Sequence, residues 1–164
     1  MEPASPARLY ATVVGALLVV LGIVGFFYSA SFGSPGTIEA ALGVFRVNAW
    51  LNLVYVATGS LGLLLASNAS RPFALVFGFL YLVLGIWGFA LGGGEAILGF
   101  LPANSGNNTF HLVLGLLGLA AAAGTPKARN SQSRGFSGTR DVPKEPRDDS
   151  KPLKPRAKLA RKGA

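Results

Sequence analysis

Three stretches of this chain run for about 20 residues without a charge, Leu9 to Phe32, Val47 to Ala66 and Phe73 to Leu91. A fourth, Phe110 to Ala123, is as apolar but shorter, and reaches spanning length only if Asn107 and Asn108 enter the interface. A helix that crosses about 30 Å of hydrocarbon needs about 20 apolar residues and must bond every backbone group within itself. A soluble bundle would need polar faces, and these segments are apolar all round. Composition agrees, since 13% of residues are charged where a soluble domain carries roughly 25%. Turn residues separate the runs: Gly33-Ser34-Pro35-Gly36, then Ser67 to Pro72, then a longer segment from Gly92 to Gly106 with Pro102 inside it. The expected fold is therefore all-α and integral to a membrane, with four transmembrane helices over about residues 9–32, 44–66, 73–91 and 107–124. Residues 1–8 precede the membrane domain, 9–125 form it, and 126–164 are a tail. The first run is too long for a secretory signal, whose apolar core is about 7 to 15 residues.

The chain repeats itself. A shift of 63 aligns Ala11 to Phe26 with Ala74 to Phe89 and matches Gly15, Gly22 and Gly25 to Gly78, Gly85 and Gly88. A shift of 56 aligns Glu39 to Ala66 with Glu95 to Ala122, with 11 of 28 positions identical, among them Glu39/Glu95, Asn48/Asn104, Asn52/Asn108, Gly59/Gly115 and Gly62/Gly118. Apolar composition inflates Leu and Gly matches, but it does not place two Asn and a Glu in register. The domain reads as two repeated helical hairpins related by a pseudo-two-fold axis along the membrane normal.

Charge sets the expected orientation. Three basic and three acidic residues precede Thr125, and twelve basic and four acidic follow it, so the whole formal charge of +8 lies in the tail. Arg8, Arg71 and the tail fall on one side of the spans and only Arg46 on the other, which places both termini in the cytoplasm. The tail has five Pro, four Ser and one aromatic, Phe136, and should be disordered. It suits a topology anchor and attraction to anionic lipid head groups, while charge without interleaved aromatics or a module does not argue for nucleic acid.

The run Leu42-Gly43-Val44-Phe45-Arg46-Val47-Asn48, with Asn52 and Gly59, and later Leu101-Pro102-Ala103-Asn104, Asn108, His111-Leu112, Gly115 and Gly118, resembles the small four-span bacterial membrane proteins grouped as domain of unknown function 4383. The likeness covers about Leu9 to Gly124 and omits the tail. It implies a multi-pass protein of the bacterial cell (inner) membrane and supplies no activity. In that family the second span often carries His beside the Asn and three residues after it; here those positions are Leu51 and Tyr55, and only His111 keeps an imidazole.

On the second span Asn48, Asn52, Tyr55, Gly59, Gly62 and Ala66 step by four and three, which puts them on one helical stripe. Asn104, Asn108, His111, Gly115, Gly118 and Ala122 repeat it. Small residues let helices approach and amides bond across them, so the stripes read as facing seams at the pseudo-symmetry axis. The competing reading is that Arg46, Asn48, Asn52, Tyr55, Asn104, Asn108 and His111 line a small polar cavity open to the outside for an ion, a small solute or a lipid head group. Gly15, Gly22, Gly25, Gly78, Gly85 and Gly88 form a further groove for packing, with homodimerisation through Gly88 and Gly92 as its alternative.

Catalytic constellations are missing from the sequence. There is no Cys, no Asp before Thr125, no nucleophile elbow and no phosphate loop, since Gly92-Gly93-Gly94 follows a helical run and lacks the P-loop Lys. One His with Glu39 and Glu95, which read as solvated loop charges, falls short of a zinc set, so no metal or cofactor is expected. The function expected is a structural or interaction role without catalysis; the alternative is a small transporter, channel or receptor using the polar cluster.

Overall fold

The computed structural model describes residues 4–32, 40–91 and 96–126. Four helices carry the fold: α1 Pro6–Tyr28, α2 Ala49–Leu65, α3 Ser70–Leu91 and α4 Ser105–Ala123. Between α1 and α2 lies a short antiparallel pair, β1 Ala40–Leu42 with β2 Phe45–Val47, and between α3 and α4 a second, β3 Ala96–Ile97 with β4 Leu101–Pro102. The sequence reading expected helices alone, and the two strand pairs are a correction to it. They shorten α2, which starts at residue 49 rather than 44, while α1 stops at 28 rather than 32. The physical reason is local. Gly43 takes a φ of 62°, the left-handed backbone a two-residue hairpin turn requires, and in the three-residue turn from Ile97 to Leu101 both Leu98 and Gly99 take positive φ, 54° and 78°.

Helices α1, α2 and α4 each start on a side-chain cap. Ser5 accepts from the Arg8 amide with Pro6 in the first turn, Asn48 accepts from Leu51, and Asn104 accepts from Asn107. Helices α1 and α3 are each long and apolar enough to cross a membrane, and α2 is apolar with 17 residues.

Most inter-helix packing lies within the hairpins α1–α2 and α3–α4. A β-carbon on Gly15 would stand 2.9 Å from the Gly59 carbonyl oxygen, and one on Gly118 would stand 2.8 Å from the Gly78 α-carbon. The glycines of α2 thus turn to α1 and those of α4 to α3, rather than to one another. Gly62 meets the ring of Phe73, and Gly118 also meets the Tyr10 hydroxyl.

The starts of α1 and α3 and the end of α4 meet at one end of the bundle, on Thr125. Its Oγ1 accepts from the Ala7 amide at 2.9 Å and donates to the Ala121 carbonyl at 2.8 Å. Its own carbonyl accepts from Arg71 Nε at 3.0 Å. The strand pairs occupy the opposite end.

Polarity is inverted relative to a water-soluble domain. Asn52, Asn107, Asn108, His111 and Thr58 are buried, while Phe27, Leu64, Phe79, Ile86 and Leu116 are exposed. From Leu75 to Ala90 every exposed residue of α3 is apolar. On α2, Val54 is half-buried against the core, while Leu53 and Leu64 face out.

Candidate functional site

The polar residues of both stripes gather beneath the two strand pairs. Asn48 Nδ2 donates to the Phe100 carbonyl at 2.6 Å, while its Oδ1 caps α2. Asn104 Nδ2 donates to the Val44 carbonyl at 2.8 Å, while its Oδ1 caps α4. Each cap residue therefore ties its own hairpin to the turn of the other one. One level down, Asn52 Nδ2 donates to the Ser29 carbonyl at 2.9 Å, at the end of α1. A β-carbon on Gly25 would overlap the Asn52 amide, and one on Gly88 would overlap the Asn108 amide. These two glycines are where the close approach needs a bare α-carbon.

Lower still, the Tyr55 hydroxyl and His111 Nε2 are 2.9 Å apart, joining α2 to α4. The His111 ring also lies against Tyr81, centroid to centroid 5.4 Å. On the far side of the core Tyr10 donates to the Leu114 carbonyl at 3.0 Å, and its ring packs 6.4 Å from that of Phe73.

The seven residues grouped by the sequence do not share one open cavity. Asn48, Asn52, Tyr55, Asn108 and His111 are buried, with Asn52 at 0% exposure and His111 at 1%. The space beside Tyr55 amounts to about 10 Å³, too little for a ligand. Only Arg46, which is exposed, and Asn104, which is half-buried, reach an open groove, of about 760 Å³ and walled by Val44, Phe45, Ser105, Gly106, Thr109, Phe110 and Val113. Closure follows from the aromatic layer of Phe45, Phe110 and Tyr55, whose rings pack edge to face and cover the polar interior.

Sequence reasoning passed over Asn107. It is fully buried, and its Nδ2 donates to the Arg46 carbonyl at 2.7 Å and the Pro102 carbonyl at 3.2 Å, holding β2 and β4 on the top of α4. Its counterpart in the 56-residue shift is Leu51, so a search for matching polar pairs skips it. The signal the sequence offers is a carboxamide side chain in the first turn of an apolar helix. Glu39, Glu95, Gly92 and the basic tail, with the readings made for them, lie outside the described residues.

These features define a class: a four-helix bundle, two of whose helices are long and apolar enough to cross a membrane, tied together at one end by buried amides. The chain belongs to the family of the domain of unknown function DUF4383, whose model matches residues 8–130. No curated protein and no solved structure matches it.

Proposed function

We propose that the chain is a four-span protein of the bacterial inner membrane, built from a duplicated helical hairpin, whose role is structural or interactive and not catalytic. The observation that carries this reading is the reciprocal pair of amide bonds from Asn48 and Asn104, which commits the polar cluster to holding the two hairpins together. Two further contacts support the duplication. Tyr55 and His111 are counterparts under the 56-residue shift, Tyr10 and Phe73 under the 63-residue shift, and each pair touches itself, as residues on a two-fold axis do. The apolar exteriors of all four helices support lipid contact. The α2 and α4 helices, about 26 and 28 Å long at 1.5 Å per residue, suit a bilayer thinned by a few ångströms.

Arg8 and Arg71 lie at the Thr125 end and Arg46 at the other, which supports a cytoplasmic location for both chain ends. The tail then serves as anchor and as partner for anionic lipids of the inner leaflet. Alanine at Asn52 and Asn108 tests the role. On this reading both substitutions lower the stability of the bundle in detergent, and any cellular defect follows the loss of folded protein. A variant that stays as stable as the parent yet loses movement of an ion or solute would instead make the polar cluster a transport site.

A further inference from the structure

We infer that the open groove between the β1–β2 turn and the first two turns of α4 holds an anionic phospholipid, with Arg46 on its phosphate. The inference rests on the four-span reading. Arg46 is fixed at the backbone by its strand pairing to Ala41 and by the Asn107 amide on its carbonyl, while its side chain is exposed. Among the described residues none is acidic and none pairs with the Arg46 guanidinium. Along the floor, Ser105, Thr109 and Val113 recur every fourth residue and share one helical face, so two hydroxyls give way to an apolar side chain. Phe110 forms the wall, packed edge-on against Phe45 at 5.4 Å.

Polarity therefore falls along the groove from a cation through hydroxyls to Val113, which is 47% exposed and continues into the apolar exterior of α4. A phospholipid falls off in the same order, from phosphate through glycerol esters to acyl chain. Free phosphate would satisfy Arg46 but leave Phe110 and Val113 uncovered at the bilayer surface. An anionic head group is favoured over a zwitterionic one because the latter brings its own cation to Arg46.

Native mass spectrometry of the full chain in mild detergent, with phosphatidylglycerol or phosphatidylcholine of equal chain length, tests this. The protein should retain phosphatidylglycerol in preference. Arg46→Gln should cut that retention about fivefold and leave phosphatidylcholine unchanged, given the usual contribution of one basic residue at a lipid surface. Thr109→Phe, which fills the groove without touching its charge, should also expel the lipid. The twelve basic tail residues are common to every variant, so an Arg46→Gln protein with undiminished preference would place the lipid on the tail and overturn the proposal. Displacement by millimolar inorganic phosphate would overturn it too, leaving an anion site only. Failure of the underlying reading is separable: a chain released from membranes by alkaline carbonate is not a spanning protein, whereas one that stays embedded without lipid preference defeats the groove alone.

Discussion

Asn48 and Asn104 brace each other's hairpins. Each caps its own helix through Oδ1 and sends its Nδ2 hydrogen to the carbonyl four residues upstream of the other, Phe100 and Val44 respectively. Since Val44 and Phe100 lie in the turns of the two strand pairs, the cap, the turn and the inter-hairpin contact are one unit at each site.

Alanine at either Asn should therefore cost more than a cap alone. An N-cap is worth about 0.5 to 2 kcal/mol and an interhelical bond in a membrane protein about 0.6. Each single variant should lose about 1 to 2 kcal/mol in detergent unfolding, and the double variant less than the sum, because either loss loosens the same joint. Strict additivity in a double-mutant cycle would show that the two braces act independently.

Gly25→Ala and Gly88→Ala should each destabilise by about 1 to 3 kcal/mol, the usual range for overpacking, because the new methyl falls on the Asn52 or Asn108 amide. Gly62→Leu and Gly118→Leu should do at least as much against Phe73 and Gly78. Leu53→Ala, on the exposed face of α2, should stay within about 0.5 kcal/mol of the parent. Equal tolerance across the set, read by unfolding midpoints, would contradict the packing of α1 on α2 and α3 on α4.

Topology is directly measurable because the chain has no cysteine. Single cysteines at Val44 and Leu98, 70% and 61% exposed in the two turns, should react with a membrane-impermeant maleimide from outside intact cells. A cysteine at the exposed Asn68, in the α2–α3 turn, should react only after lysis. Labelling of Asn68→Cys and Val44→Cys from the same side would mean that α2 does not cross.

Thr125 marks where the bundle ends. Thr125→Val keeps the size but removes the acceptor for the Ala7 amide, and should lower stability by about 1 to 3 kcal/mol, the penalty for a buried donor left without a partner. Deleting residues 127–164 should leave the helical signal of the bundle unchanged, while deleting from Thr125 onward should not. Circular dichroism and thermal unfolding of the two truncations would separate these outcomes.

Charge-free length, the 56- and 63-residue repeats and the three-four spacing of Asn and Gly already determined four apolar helices, their approximate places and which positions share a stripe, because helix period and the cost of charge in hydrocarbon act locally along the chain. Where the stripes point was decided only in three dimensions. Gly59 packs on Gly15 and Gly118 on Gly78, since close approach is set by the helix beside each hairpin partner and not by sequence likeness between stripes. Residues such as Leu42-Gly43-Val44-Phe45 carry no alternation long enough to announce a strand, and their pairing is fixed by the left-handed turn at Gly43 together with the Asn104 amide on Val44 from 60 residues away. Burial of Asn52, Tyr55 and His111 beneath Phe45 and Phe110 is likewise a tertiary outcome: a polar stripe reads the same in sequence whether it lines a cavity or is sealed by rings contributed from elsewhere in the chain.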